Sequence, residues 1–126
     1  MDILIDTQVL IWHLEGNAKL KPSYRALISD PINQILISVV SPWEIAIKLG
    51  LGKITLSTSL PDIFDSIAHS TSKLLPIEPD HILGLSILPQ HHGDPFDRMI
   101  IAQALSEGTA VITTDAHFAA YGVTLL

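Results

Sequence analysis

Cysteine is absent from the 126 residues, which excludes a disulfide framework and cysteine-ligated zinc. No apolar run approaches the roughly 18 residues that a membrane span requires. The opening MDILIDTQVLIWHL lacks a basic n-region and is broken by Asp2, Asp6 and Thr7, unlike a secretory signal. The expectation is a soluble, cytoplasmic chain with no membrane partner. Cations are scarce: seven Lys and Arg stand against thirteen Asp and Glu, a formal charge of −6. Nonspecific affinity for nucleic acid comes mainly from basic side chains neutralising phosphate, so a nucleic-acid role would need a local explanation. A divalent cation held by several acids supplies one, because it reverses the field where a phosphate would sit. Repeats, linkers and low-complexity stretches are missing too. What is present is 48% hydrophobic residues with 16% charged, the composition of a globular chain expected to form one domain over residues 1–126.

Apolar runs at residues 2–6 (DILID) and 34–40 (QILISVV) read as buried strands, with Lys73–Ile77, residues 109–113 (TAVIT) and a stub at Val123–Leu126 completing the set. Helices are expected from Thr7 to about Leu14, after Pro22 as far as Asp30-Pro31, from Leu60 or Pro61 to Ser70, and from Glu78 or Pro79 to Leu88. Ser41-Pro42-Trp43-Glu44 reads as a capping box with proline at N1, starting a helix that Gly50 and Gly52 end. Asp94-Pro95 reads as an N-cap and N1 proline of a further helix that ends near Gly108. A short helical turn is expected from Asp115 to Tyr121. Strands that are apolar throughout and alternate with helices indicate an α/β fold, a mainly parallel sheet covered on both faces. Ligands of such sheets sit beyond the carboxyl ends of the strands.

Four acids fall at those ends. Asp6 closes the first strand, Glu44 follows the second, Asp97 lies in the first turn of the helix after Pro95, and Asp115 follows the TAVIT strand. At about 100° per residue Asp97 shares a side with Ile101 and Ala104, whereas Gln103, Ser106 and Glu107 mark a polar side. An inward carboxylate needs a partner, and Arg98 or a metal ion is available. Each acid also has a structural explanation: Asp6, Asp94, Asp97 and Asp115 as caps or dipole partners, Glu44 through the capping box and an i,i+4 pair with Lys48. Converging carboxylates need protons or a cation. Oxygen ligands without thiolate select a hard ion, Mg²⁺ or Mn²⁺, and such ions activate water against phosphodiesters. His91 and His92 are candidates for proton donation or phosphate contact, though a rim role is favoured; His117 stands two residues after Asp115. Trp12 and Trp43 read as packing residues.

Two other readings remain open on these residues. One is a metal-dependent phosphatase or phosphoacceptor with Asp6 as nucleophile, although Asp6-Thr7-Gln8 carries neither a lysine nor a second acid beside it. The other is a noncatalytic interaction domain whose acids are caps and surface charges.

ILIDTQVLIW, SVVSPWEIAIKLGLGKI, HHGDPFDRMIIAQA and VITTDAHF, in this order and spacing over essentially the whole chain, resemble the PIN-domain ribonucleases. The similarity is greatest to VapC-type toxins of toxin–antitoxin pairs. The resemblance implies a three-layer α/β/α sandwich and metal-dependent endonucleolytic cleavage of RNA by water. It carries the family's acids onto Asp6, Glu44, Asp97 and Asp115, with Asp94 assisting or capping. Thr7 and Thr113 or Thr114 would steady the carboxylates, and Arg98, Lys48 or Lys53 would steady the scissile phosphate. It further implies an antitoxin partner and a homodimer.

Overall fold

The computed structural model describes residues 1–126. The chain runs β1 (Asp2–Ile5), α1 (Thr7–Glu15), α2 (Pro22–Ser29), β2 (Gln34–Ser38), α3 (Val40–Gly50), α4 (Leu60–His69), β3 (Lys73–Leu75), α5 (Pro79–Ser86), α6 (Pro95–Glu107) and β4 (Ala110–Ile112). A 3₁₀ helix, Ala116–Tyr121, and β5 (Thr124–Leu125) complete it. The five strands form one all-parallel sheet in the order β3-β2-β1-β4-β5. Strand order reverses at β1, which pairs with β2 on one side and β4 on the other. Asp6 therefore leaves the sheet at its switch point, where ligands of open α/β sheets bind.

Side chains of β1 alternate between two cores. Ile3 and Ile5 join Val9, Leu10, Ile45 and Ile63 on one face, while Leu4 joins Ile100, Ile101, Val111 and Phe118 on the other. Burial on both faces explains why the strands are apolar throughout. It also makes the expected three-layer α/β/α sandwich the observed one. No helix is long and apolar enough to cross a membrane.

Three local expectations are corrected. The Ser41–Glu44 capping box does not form, because α3 begins earlier, at Val40, whose N–H donates to Ser38 Oγ at 3.1 Å. Pro42 then falls at the third helical position, where its missing N–H would have had no intrahelical acceptor. Ser41 and Glu44 are left facing inward, both buried. β3 stops at Leu75 rather than Ile77, since Pro76 has no N–H for the ladder. Gln103, expected on the polar side of α6, is fully buried. It accepts from Ser38 Oγ at 2.5 Å and donates to Pro76 O at 3.2 Å, so an interior polar group is satisfied in place.

Candidate functional site

Asp6 is both a cap and a site residue. Oδ1 accepts from Val9 N–H at 2.9 Å, ending the run of orphan donors of α1, and Oδ2 accepts the Thr113 hydroxyl at 2.5 Å. Thr113 lies one residue beyond β4, and its oxygen also accepts from Asp115 N–H at 3.0 Å. The switch-point strand and its neighbour thus deliver two carboxylates through one threonine.

Asp94 caps α6 as expected, accepting from Phe96 N–H at 2.9 Å and Asp97 N–H at 3.0 Å. That fixes the first turn and aims Asp97 across the cavity. Asp97 is pushed up to about 8, first by burial, then by the Asp94 charge and the neighbouring Asp115 carboxyl. Burial acts to raise Asp115 as well, but hydrogen bonds from the His117 backbone and ring outweigh it and leave that carboxylate below its ordinary value. Opposite shifts on adjacent carboxyls mean that, without a cation, Asp97 keeps a proton beside an ionised Asp115. Asp6 is raised too, chiefly by burial.

Glu44 reaches the same cavity from α3. Its Oε2 takes Lys48 Nζ at 2.6 Å, while Oε1 is buried with no partner. Asp6, Glu44, Asp94, Asp97, Asp115 and Lys48 all line one cavity of about 150 Å³. The four acids expected to converge therefore do so, with Asp94 and Thr114 beside them. A divalent cation fits this donor set: an orphaned carboxylate oxygen and a carboxyl that retains its proton beyond neutrality are both groups a hard cation would satisfy. One oxygen each of Asp97 and Asp115 and one nitrogen of His92 lie within 4.8 Å of one another.

Other candidates have other partners. Thr7 lines the same cavity, but its hydroxyl shares a hydrogen bond with Ser41 Oγ at 2.9 Å and bonds no carboxylate. Arg98 makes no ion pair with Asp97. Its buried guanidinium donates to Pro89 O at 2.8 Å, Tyr121 Oη at 3.2 Å and Leu88 O at 3.3 Å, pinning the loop ahead of α6. Lys48 is already paired with Glu44. Trp43, read as a packing residue, is 54% exposed and edge-on to Phe96 at 5.1 Å. His92 and Tyr121, given no definite place by the sequence, lie just behind the cavity: His92 Nε2 is 3.8 Å from Asp97 Oδ2 and its Nδ1 is 2.7 Å from Tyr121 Oη. The His-His-Gly-Asp run placed His92 beside the acids but carried no sign of which way its ring faces.

A sequence model of the PIN domain matches residues 3–123. The chain belongs to the PIN-domain family. Solved structures of similar shape include VapBC2 of Rickettsia felis bound to a promoter DNA fragment, with TM-score 0.72 and 16% identity over 100% of this chain and 98% of that one. VapBC-1 of nontypeable Haemophilus influenzae gives 0.71 and 18% over 100% and 97%. The Mycobacterium tuberculosis toxin VapC20, described as cleaving the sarcin–ricin loop, gives 0.68 and 15% over 97% and 96%. Among curated proteins none matches the chain in sequence at a significant level. The PIN fold thus accounts for the whole sheet and for the edge on which the acids meet.

Proposed function

We propose that this PIN-domain protein, acting as one nuclease domain over residues 1–126, is a metal-dependent endoribonuclease and the toxin of a toxin–antitoxin pair. The observation that carries the reading is the convergence of Asp6, Glu44, Asp97 and Asp115 on one cavity at the switch point of the sheet. The likeness in fold to VapBC toxin–antitoxin complexes supports the biological role, and VapC20, a sarcin–ricin-loop-cleaving toxin, supports the substrate.

Asp6, Asp97 and Asp115 would hold Mg²⁺ or Mn²⁺, with the free Glu44 oxygen completing the shell or orienting water. Such an ion, when bound, lowers the pKa of water and stabilises charge growing on phosphoryl and leaving oxygens. The remaining work belongs to the protein's own side chains. Thr113 fixes the Asp6 and Asp115 spacing, and Lys48 neutralises one Glu44 oxygen so that the other stays available. Asp97, which keeps a proton in the metal-free protein, would hold the cation as a carboxylate. The proposed partners are RNA, a cognate antitoxin and a second copy of the chain, in the cytoplasm. Trp43, Ile47 and Leu51 leave apolar surface along α3 and its C-cap that protein partners would cover.

The test is cleavage of labelled total RNA in Mg²⁺ or Mn²⁺, with EDTA and an Asp97→Asn variant prepared identically. Cutting should need the ion and vanish in the folded variant. Equal behaviour of wild type and variant would move the noncatalytic interaction domain to the front.

A further inference from the structure

A second cavity, of about 360 Å³, shares Thr114 and Asp115 with the acid cavity as a common wall. It lies at the carboxyl ends of the paired strands β4 and β5, where residues 113–115 and Leu125 meet the start of α2. Lys21 caps that helix and Tyr24 sits in its first turn, while Ala119 comes from the 3₁₀ helix. Lys21, Thr114, Ala119 and Leu125 are exposed and Tyr24 is half-buried, so the cavity opens to solvent. The four-acid reading gives it no task.

Its lining pairs flat apolar walls with one cation and one spare hydroxyl. Ala119, Leu125 and the Tyr24 ring are the walls. Thr113 is committed to Asp6 and Asp115, which leaves the exposed Thr114 hydroxyl as the spare one. Lys21 Nζ stands over the Tyr24 ring, 5.3 Å from its centroid, so that face of the ring is not packed on the core. Among the other cations, Lys48 is paired with Glu44, and Arg25 and Arg98 donate to backbone carbonyls. Lys19, Lys53 and Lys73 line no cavity. A bare phosphate would lose its water against two leucines and two alanines without compensation. A nucleobase suits the same walls, because single-stranded nucleic acid is held by stacking on aromatic faces and by hydrogen bonds to base edges.

We propose that this cavity receives the base of a nucleotide flanking the scissile phosphate, with Tyr24 against its face, Thr114 at its edge and Lys21 on the adjoining phosphate. The assignment rests on the nuclease reading for the polymer, but base binding itself depends on this cavity alone. The shared wall sets the base next to the acids. Asp115 on that wall repels a phosphate and leaves a neutral base unopposed. A base over the Tyr24 ring takes the place of the ammonium there, and the flexible lysine stem lets Lys21 turn to the phosphate. Only an unpaired residue can turn its base outward, so the segment cut is single-stranded or a loop. Stacking needs no net positive charge, which fits a chain of formal charge −6.

Two readouts test this on the full chain. The first is an amide NMR titration in EDTA with the four nucleoside 5′-monophosphates, and with ribose 5-phosphate as the control that lacks a base. Nucleotides should shift the Thr114, Ala119 and Leu125 amides, ribose 5-phosphate should not, and Ala119→Leu, which fills the cavity from an exposed position, should abolish the response. The second is RNA cleavage in Mn²⁺. Tyr24→Leu and Ala119→Leu should each raise KM about 10-fold, the scale for losing one base stack, with kcat and calorimetric Mn²⁺ affinity nearly held. Lys21→Gln should reduce the dependence of log KM on log salt by about 0.7, one phosphate on a single strand. Equal shifts from ribose 5-phosphate would reduce the cavity to a phosphate contact and overturn the assignment. So would wild-type KM in both Tyr24→Leu and Ala119→Leu, which would leave the cavity to a protein partner. If the wild type cuts no RNA, the nuclease reading fails and the nucleotide titration alone decides whether the cavity binds a base.

Discussion

The Thr113 hydroxyl donates to Asp6 Oδ2 at 2.5 Å across the seam between β1 and β4. Its oxygen accepts Asp115 N–H at 3.0 Å, so one side chain holds two site carboxylates in register. Thr113→Val keeps the shape of the side chain and removes both bonds. It should cost about 1–3 kcal/mol in urea unfolding in EDTA, the usual range for a buried acceptor left unpaired. Mn²⁺ affinity by calorimetry should fall with it, and Thr113→Ser should restore both. Undiminished Mn²⁺ affinity in Thr113→Val would show that the threonine only packs.

The crowding of carboxyls makes the metal-free protein pH-sensitive in a definite direction. Asp97 has a folded pKa of about 8 against an ordinary 3.8, and burial raises Asp6 as well. Between those values the folded state binds more protons than the unfolded one, so stability falls as pH rises through the window. Asp115 is lowered; its contribution is present above the ordinary carboxylate value and lost only as pH falls below it. Urea midpoints in EDTA should therefore decline from about pH 5 to about pH 8. Asp97→Asn should flatten that decline and be the more stable protein at the alkaline end. Saturating Mn²⁺ should reverse it. A flat profile for the wild type would mean that the carboxyls are farther apart in solution than here.

Much of this site was legible in the chain because strand ends and helix starts carry strong local signals. Apolar DILI delivering Asp6, and Asp94-Pro95 opening α6, place two acids without any tertiary knowledge. Where the reading went wrong, a side chain distant in sequence had taken over a local role. Ser38 supplies the bond at the start of α3 that Ser41 was expected to make, and it also satisfies Gln103, turning an apparent surface residue into an interior one. Arg98 stands next to Asp97, yet its acceptors are Leu88, Pro89 and Tyr121, and helical spacing carries no information about loop carbonyls. The orientation of His92 depends on a tyrosine 29 residues later.

Lys48 and Glu44 form the i,i+4 pair that the sequence announced, but with a burial asymmetry it did not: Glu44 is 4% exposed at the side chain and Lys48 39%. The Glu44 hydrogen bond raises Lys48 above its ordinary value. Lys48→Met would leave a buried carboxylate without either partner in metal-free protein. About 1–3 kcal/mol should be lost, less than for a fully buried pair because the lysine is partly solvated. Adding Glu44→Gln to Lys48→Met should recover most of that loss, and a double-mutant cycle in EDTA measures the coupling. Additive losses would mean that the pair is a surface contact with no role in holding Glu44.

Arg98 separates two readings of the loop before α6. If its guanidinium pins Leu88, Pro89 and Tyr121, then Arg98→Met leaves two carbonyls unpaired and should cost about 1–3 kcal/mol. Amide exchange at His91 and His92 should accelerate, because their N–H groups rest on the same Tyr121 oxygen. Arg98→Lys should not rescue, since one ammonium cannot reproduce the planar fork that spans three acceptors. Mn²⁺ affinity should change little, because no carboxylate of the site pairs with Arg98. Were the arginine instead to grip substrate phosphate, Arg98→Met would leave stability and exchange unchanged and raise KM alone. Hydrogen exchange and KM measured on the same preparation of Arg98→Met therefore give opposite signatures for the two roles.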